Sequence, residues 1–518
     1  MTGTELLVLF DVLQVKVTAA QAGQSLFGSD INDCTNFAID AAEAGRNDLV
    51  IALLEPLSGL APRSARVWQL LGLAWRDEQQ GEKAAAAMAK AVAFAPEDRK
   101  IVLAHAQIRF ETGRPAAQLF RTALRMDPGN LEAIRSAAAA LAAEGQVSAG
   151  QGLLEKTLRT YPDWLEGHRS LVSMRTVSGE GAASARSYGD AVKAQPRNIA
   201  LRLAWFQQAS AAQDWELARA IIRDGEAVLG EQQIFAVARL LTASESGEAA
   251  DDSALFASVA DLNDPEIDLY NVRHSLRCGM TDRAEEICER HVRGPMASAF
   301  WPYLSLVWRL QGDSRAQWLD GDPSFHRVYD LDVSSDVLAE LAVTLRNLHI
   351  VRAPFLEQSV RHGTQTDGHL FLRHEQPIQN IRARIWDAVQ SYVDGLPPFV
   401  EGHPFLGVPR GTIKCEGSWS VRLASSGFHV CHTHTKGWIS SAFYVSLPEL
   451  SSMGKPPAGW LALGLAPPEL QLDLPASGLV EPKPGRLVLF PSTMWHSTVP
   501  FEQGERLTVA FDVQRPLG

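Results

Sequence analysis

Two histidines one residue apart, His432 and His434, open the stretch "HTHTKGWISSAFYV". Residues i and i+2 of an extended chain point to the same side, so such a pair at the head of a strand can aim two imidazoles at one point. Imidazole nitrogens are good ligands for iron, zinc, copper and nickel. A third histidine, His496, lies in "LFPSTMWHSTVPF", just after the apolar run Leu487–Phe490. Arg506 comes ten residues later in "GERLTVAFDV", and Thr508 shares its face by period two. An arginine offers a planar, two-pronged grip on a carboxylate.

Strands must position these groups, and the texture after Pro398 predicts them. "SWSVRLA" alternates, "WISSAFYVSLP" is rich in aromatic and β-branched residues, and "GWLALGL" is short and apolar. "GRLVLFPS" follows a Pro-Gly turn and "RLTVAFDVQ" alternates. Short strands punctuated by Gly and Pro indicate a jelly-roll sandwich or barrel. Before them, "SDVLAELAVTLRNLH" and "PIQNIRARIWDAVQSYVDGLP" carry apolar residues at helical spacing, and "QSVRHGTQTDGHLF" between them is expected as a loop.

The first half is a different texture. Pro62, Pro96, Pro128, Pro162 and Pro196 close similar phrases at intervals of 34, 32, 34 and 34 residues. A period near 34 marks helix-turn-helix solenoid repeats. In the clearest unit Trp68, Leu71, Gly72 and Trp75 fill a W-x2-L-G-x2-aromatic pattern, and Ala84, Met88 and Ala91 follow at second-helix spacing. This unit resembles the tetratricopeptide repeat (TPR). The expected organisation is an N-terminal helical segment over 1–45, a TPR-like helical solenoid over 46–315, and a mostly β domain with flanking helices over 316–518, its β core at about 400–518.

The C-terminal phrases "QSVRHGTQT", "CHTHTKGWISSAFYVSLP" and "PGRLVLFPSTMWHSTVPF" resemble, in that order, those of a subgroup of the Fe(II)/2-oxoglutarate-dependent oxygenases. The resemblance covers about 325–518. It implies a double-stranded β-helix with Fe(II) held by His432, His434 and His496. It also implies 2-oxoglutarate gripped by Arg506 and Thr508, O2 as oxidant, and hydroxylation of a C–H bond. The superfamily usually carries an acid where His434 stands. His429 is therefore the alternative third ligand, and a three-His dioxygenase that uses no 2-oxoglutarate is the alternative chemistry. Arg361, Gln365 and Thr366 are the candidates for the substrate entrance, and Arg422 is the second candidate for the carboxylate site.

Bland roles are expected for the other groups: buried packing for Cys415 and Cys431, core for Trp419, Val421 and Leu423, and no metal for His403 or His374. A net charge of −12 argues against a nucleic-acid or anionic-membrane binder. Five cysteines without a CxxC pair, and an N-terminus lacking a basic leader, point to a reducing, cytoplasmic setting. Stacked helix pairs form surfaces that bind peptides. The expected partner is thus a protein or peptide substrate carried by the solenoid. A small-molecule oxygenase, or a silent TPR scaffold, would carry the same repeats.

Overall fold

The computed structural model describes residues 3–247, 256–351, 353 and 358–516. By contacts the chain divides into two compact units, one of residues 1–154 with 371–379 and one of residues 155–370 with 380–518.

The first unit is built of helix pairs. Ala65–Asp77 and Gly81–Phe94 form the pair whose sequence carries the clearest repeat. Ser64 caps the first of them by accepting from the Val67 amide. A Cβ on Gly72 would lie 3.3 Å from the Ala84 carbonyl oxygen and from Met88, so the small residue allows the helices to cross closely. The next helix, Arg99–Glu111, starts at Asp98, whose carboxylate accepts from the amides of Lys100 and Ile101. Residues 371–379 dock on this unit. The His374 amide and its Nδ1 both meet the Thr112 carbonyl, at 3.1 and 3.0 Å. Gly81 has no room for a side chain there, because a Cβ would come within 2.5 Å of the Leu372 carbonyl.

The second unit begins with further helix pairs and ends in two antiparallel sheets. Its strands are β1 (Arg327–Asp330), β2 (Val360–Gln365), β3 (Cys415–His429), β4 (Gly437–Ser446), β5 (Leu461–Leu463), β6 (Gly478–Val480), β7 (Arg486–Pro491), β8 (His496–Thr498) and β9 (Arg506–Gln514). Six form a major sheet in the order β1-β7-β4-β9-β3-β2, and three form a minor sheet in the order β6-β5-β8. Tyr444, Leu461, Leu463, Val480, Val488, Phe490 and Met494 make one core from both sheets. The fold is the expected combination of TPR-like helical repeats and a double-stranded β-helix.

One segment differs from expectation. "QSVRHGTQT" is not a loop over the sheet; residues 360–365 form β2, paired antiparallel with β3. Its polar sequence suits an edge strand, with only one neighbour to pair with.

The helices Pro265–Arg277, Thr281–His291 and Ala297–Gln311 share an apolar core with the β region. Val272, Leu276, Ile287, Phe300, Leu304 and Trp308 cluster with Cys431, Leu470 and Trp495. Trp495 stacks edge-on against Tyr303 at 5.3 Å. Among the described residues no helix is long and apolar enough to cross a membrane.

Candidate metal centre and carboxylate pocket

The His-x-His pair stands just before β4 rather than on it. The chain there is still extended, because His432 pairs with His496 as an antiparallel bridge. The two residues exchange amide-to-carbonyl hydrogen bonds at 3.1 and 3.0 Å. Their rings consequently lie on one side, with centroids 4.2 Å apart. The amide of His434 donates to the Ser492 carbonyl at 2.9 Å, which ties the second histidine to the end of β7. Potential ligand atoms of His432, His434 and His496 all lie within 4.8 Å of one another.

The Nδ1 partners fix which nitrogen faces inward. Nδ1 of His432 donates to the Val430 carbonyl at 2.7 Å, and Nδ1 of His496 to the Met494 carbonyl at 3.0 Å. Nδ1 of His434 meets a carboxylate oxygen of Asp512 at 2.5 Å. A neutral imidazole that donates through Nδ1 carries its lone pair on Nε2. All three rings thus offer Nε2 to a common point, which is the donor set a divalent transition metal takes. Burial, reinforced by the neighbouring His434, lowers the pKa of His432 to about 3. Burial also depresses His496 well below the usual range. Both rings are neutral near pH 7, as ligands must be.

A cavity of about 450 Å3 opens onto this cluster. Arg506, Thr508, Ala510 and Asp512, alternate residues of β9, all line it, together with Trp419, Val421, Leu461 and Phe490. Arg506 is fully enclosed. One of its terminal nitrogens donates to the Gly459 carbonyl at 2.9 Å, and its guanidinium lies 4.9 Å from the centroid of the Tyr444 ring. Among the described residues, Arg506 Nε and the Tyr444 hydroxyl are buried polar atoms without a hydrogen-bond partner. An unpaired buried donor costs roughly 1–3 kcal/mol. A cationic group with a spare donor in this cavity fits a carboxylate of 2-oxoglutarate.

The remaining candidates fall as follows. His429 lines the cavity and its Nδ1 lies 2.8 Å from the Ser359 hydroxyl, which also stands 3.2 Å from His432 Nε2. It is not part of the three-histidine cluster. Gln365 is in the cavity wall, beside Gln358. Thr366 is elsewhere, its hydroxyl accepting from the Ser420 amide at 2.9 Å. The Arg361 guanidinium turns back onto the carbonyls of Gln358 and Val360. Arg422 joins Arg346 on the carboxylate of Glu505, at 2.5 and 2.7 Å, away from the cavity. Cys415 and Cys431 are buried thiols, each pushed up to about 12 chiefly by burial. His403 is spent on the Trp318 carbonyl and the Phe405 and Leu406 amides. Trp419 and Val421 line the cavity instead of serving only as core, whereas Leu423 packs in the core.

Sequence reasoning missed Asp512 and Tyr444. The alternation that links Thr508 to Arg506 continues to Ala510 and Asp512, so the signal for Asp512 was present in "RLTVAFD". Tyr444 could be read only as a core aromatic.

His432, His434, His496 and Arg506 all fall within the stretch of the chain that matches a known family model. Residues 417–512 match the family model described as "Putative 2OG-Fe(II) oxygenase". Among solved structures, the chain is similar to a prolyl-4-hydroxylase from Pseudomonas putida, at 17% identity over 37% of this chain and 94% of that one, with a TM-score of 0.25. It is also similar to YrrB, described as a TPR protein with an unusual peptide-binding site, at 14% identity over 33% and 90% of the two chains, TM-score 0.28. A third likeness is to MamA, at 14% identity over 31% and 94%, TM-score 0.28. No curated protein matches.

Proposed function

We propose that this protein is an Fe(II)- and 2-oxoglutarate-dependent dioxygenase that hydroxylates a residue of a protein or peptide carried by its helical repeats. The observation that supports the reading most is the pairing, in one cavity, of three convergent histidines with a buried arginine whose Nε lacks a partner among the described residues. His432, His434 and His496 would hold the iron. Arg506 would take the far carboxylate of 2-oxoglutarate, with Thr508 and Tyr444 as hydroxyl donors. Bound there with 2-oxoglutarate and O2, iron would supply the coupling of oxidative decarboxylation, giving succinate and CO2, to hydroxylation of a C–H bond.

The protein's own share is positioning and shielding. The backbone bridge between His432 and His496 fixes two ligands relative to each other. The apolar walls of Trp419, Val421, Leu461 and Phe490 lower the local dielectric, which strengthens the Arg506–carboxylate attraction. The repeats would supply binding energy remote from the reacting bond.

The test is succinate formation by protein loaded anaerobically with Fe(II), then given 2-oxoglutarate and O2, first alone and then with peptide mixtures. Succinate above the level of a His432→Ala control is expected even without substrate. Its absence under every condition overturns the reading. Consumption of O2 that is indifferent to 2-oxoglutarate would instead support a three-His dioxygenase, the reading favoured by the missing ligand carboxylate.

A further inference from the structure

The three histidines are not held alike. His432 and His496 direct Nδ1 to neutral backbone carbonyls, whereas His434 directs it to a carboxylate, Asp512, at 2.5 Å. We propose that Asp512 is a positioning residue that sets a carboxylate directly behind one of the three ligands, making His434 the strongest donor of the three. This inference rests on the metal site described above.

Several independent features hold Asp512 in that role. It is buried on β9, directly opposite Ser440 of β4. The Ser440 hydroxyl meets its other oxygen at 2.7 Å and the Ser492 hydroxyl at 2.9 Å. Ser492 is the residue whose carbonyl accepts from the His434 amide. The imidazole and its carboxylate are therefore tied to the same short piece of chain. The space is cleared by Gly437, where a Cβ would meet Ser492 Oγ at 2.5 Å and Asp512 Cβ at 3.2 Å.

The chemistry follows from the charge. A carboxylate accepting from Nδ1–H polarises the ring toward Nε2, so the ligand bonds a cation more tightly. It also fixes the tautomer, since a carboxylate accepts and cannot donate. Three neutral imidazoles would bring no negative charge to a divalent ion in the cavity. Asp512 places one negative charge beside it without occupying a coordination position.

The test uses the full-length protein and Co(II), read by its dissociation constant and visible ligand-field spectrum. Asp512→Asn keeps the shape and removes the charge. Ser440→Ala loosens the carboxylate but keeps the charge. Asp512→Asn is expected to weaken Co(II) roughly 10–100-fold and shift the spectrum, while Ser440→Ala stays within about threefold of the parent. Equal losses in the two variants would reduce Asp512 to a packing role and overturn the inference, as would an Asn variant with parental affinity and spectrum. A second reading avoids the variants: in Zn(II)-loaded parent with 15N-histidine, the Nδ1 resonance of His434 should stand apart from those of His432 and His496. Three like resonances would overturn the inference even if metal binds. A parent that binds neither Co(II) nor Zn(II) would instead remove the metal site itself, and this inference with it.

Discussion

The indole of Trp495 donates its Nε1–H to the carbonyl of Pro302 at 2.9 Å, and the next residue is His496. Cys431, which precedes His432, lies in the same apolar cluster as Trp495, formed with the helices between 265 and 311. Two of the three candidate ligands thus follow residues anchored in helices. Trp495→Ala should cost about 3–5 kcal/mol of stability, the usual range for an aromatic deletion in a core. It should also weaken metal binding, because the chain that aims His496 loses its anchor. Urea unfolding and a Co(II) titration on the same variant check both; parental metal affinity in a clearly destabilised variant would separate the anchor from the ligand.

The ligand set has its own test. His434→Ala should lose most of the affinity for Fe(II), measured anaerobically, whereas His429→Ala should keep it, since His429 stands outside the cluster of converging ligand atoms. The reverse order of losses would make His429 the third ligand and leave His434 as a bystander beside Asp512.

Arg506→Lys preserves charge but not the planar fork. The affinity for 2-oxoglutarate should fall by roughly one to two orders of magnitude, about 1.5–3 kcal/mol for a charge-assisted contact, with iron binding unchanged. Tyr444→Phe removes only the buried hydroxyl that has no partner among the described residues. If that hydroxyl meets the same carboxylate, the variant should show a smaller loss of the same kind and no loss of stability. Isothermal titration of the metal-loaded protein reads both, and a parental value for Arg506→Lys would place the carboxylate elsewhere.

Much of this was legible because the chemistry follows simple periods. The 34-residue interval of prolines gave the helix pairs, and the alternation in "RLTVAFDVQ" gave β9 with Arg506 and Thr508 on one face. The same alternation carries Asp512 onto that face, but an acid at the end of a strand has no local mark that sets it apart from a solvated residue. β2 was missed for a physical reason: an edge strand needs no apolar alternation, and "VRHGTQ" offers none. The sharing of one core by Phe300, Leu304 and Trp495 could not be read at all, because contacts between residues nearly two hundred positions apart leave no local pattern.

Acid should destabilise the fold through His349. Its Nε2 lies 3.1 Å from the Ser420 hydroxyl, which donates to the Thr508 carbonyl, so Nε2–H must be the donor to Ser420. Nδ1 then accepts from the Thr364 hydroxyl at 2.8 Å. The neutral ring satisfies both contacts. Burial, with help from Arg422 and against the pull of Glu505, lowers its pKa to about 4 from 6.5. Above pH 6.5 neither state holds the proton, and the group has no effect. Between 6.5 and 4 the unfolded chain binds a proton that the folded one refuses, so stability falls as pH falls. His432 and His496 act in the same direction. His349→Gln, which can still donate and accept, should therefore show a shallower loss between pH 6.5 and 4 in urea midpoints. An unchanged slope would mean that the ring does not titrate in this window.

The shared core also predicts where the chain can be cut. Glu245 pairs with Arg273 at 2.8 Å and with Arg277 at 2.9 Å, and Arg273 in turn donates to the Tyr303 hydroxyl at 3.0 Å. Tyr303 packs on Trp495. A protein starting at Gln232 retains this whole series, including the anion that the two largely buried arginines need. One starting at Ala316 keeps every strand but exposes Cys431, Leu470 and Trp495 to water and removes the Pro302 carbonyl from the indole. Uncovering a cluster of that kind costs roughly 1.5–3 kcal/mol for each large side chain, comparable in sum to the whole stability of a domain. The Gln232 form should therefore melt cooperatively and bind Co(II) with near-parental affinity, whereas the Ala316 form should aggregate or bind it at least tenfold more weakly. If the longer form also turns over a short peptide as the parent does but loses affinity for a long one, the removed repeats carry remote substrate binding. Matching melting curves and metal affinities for the two truncations would show that the helices between 265 and 311 are dispensable to the metal site.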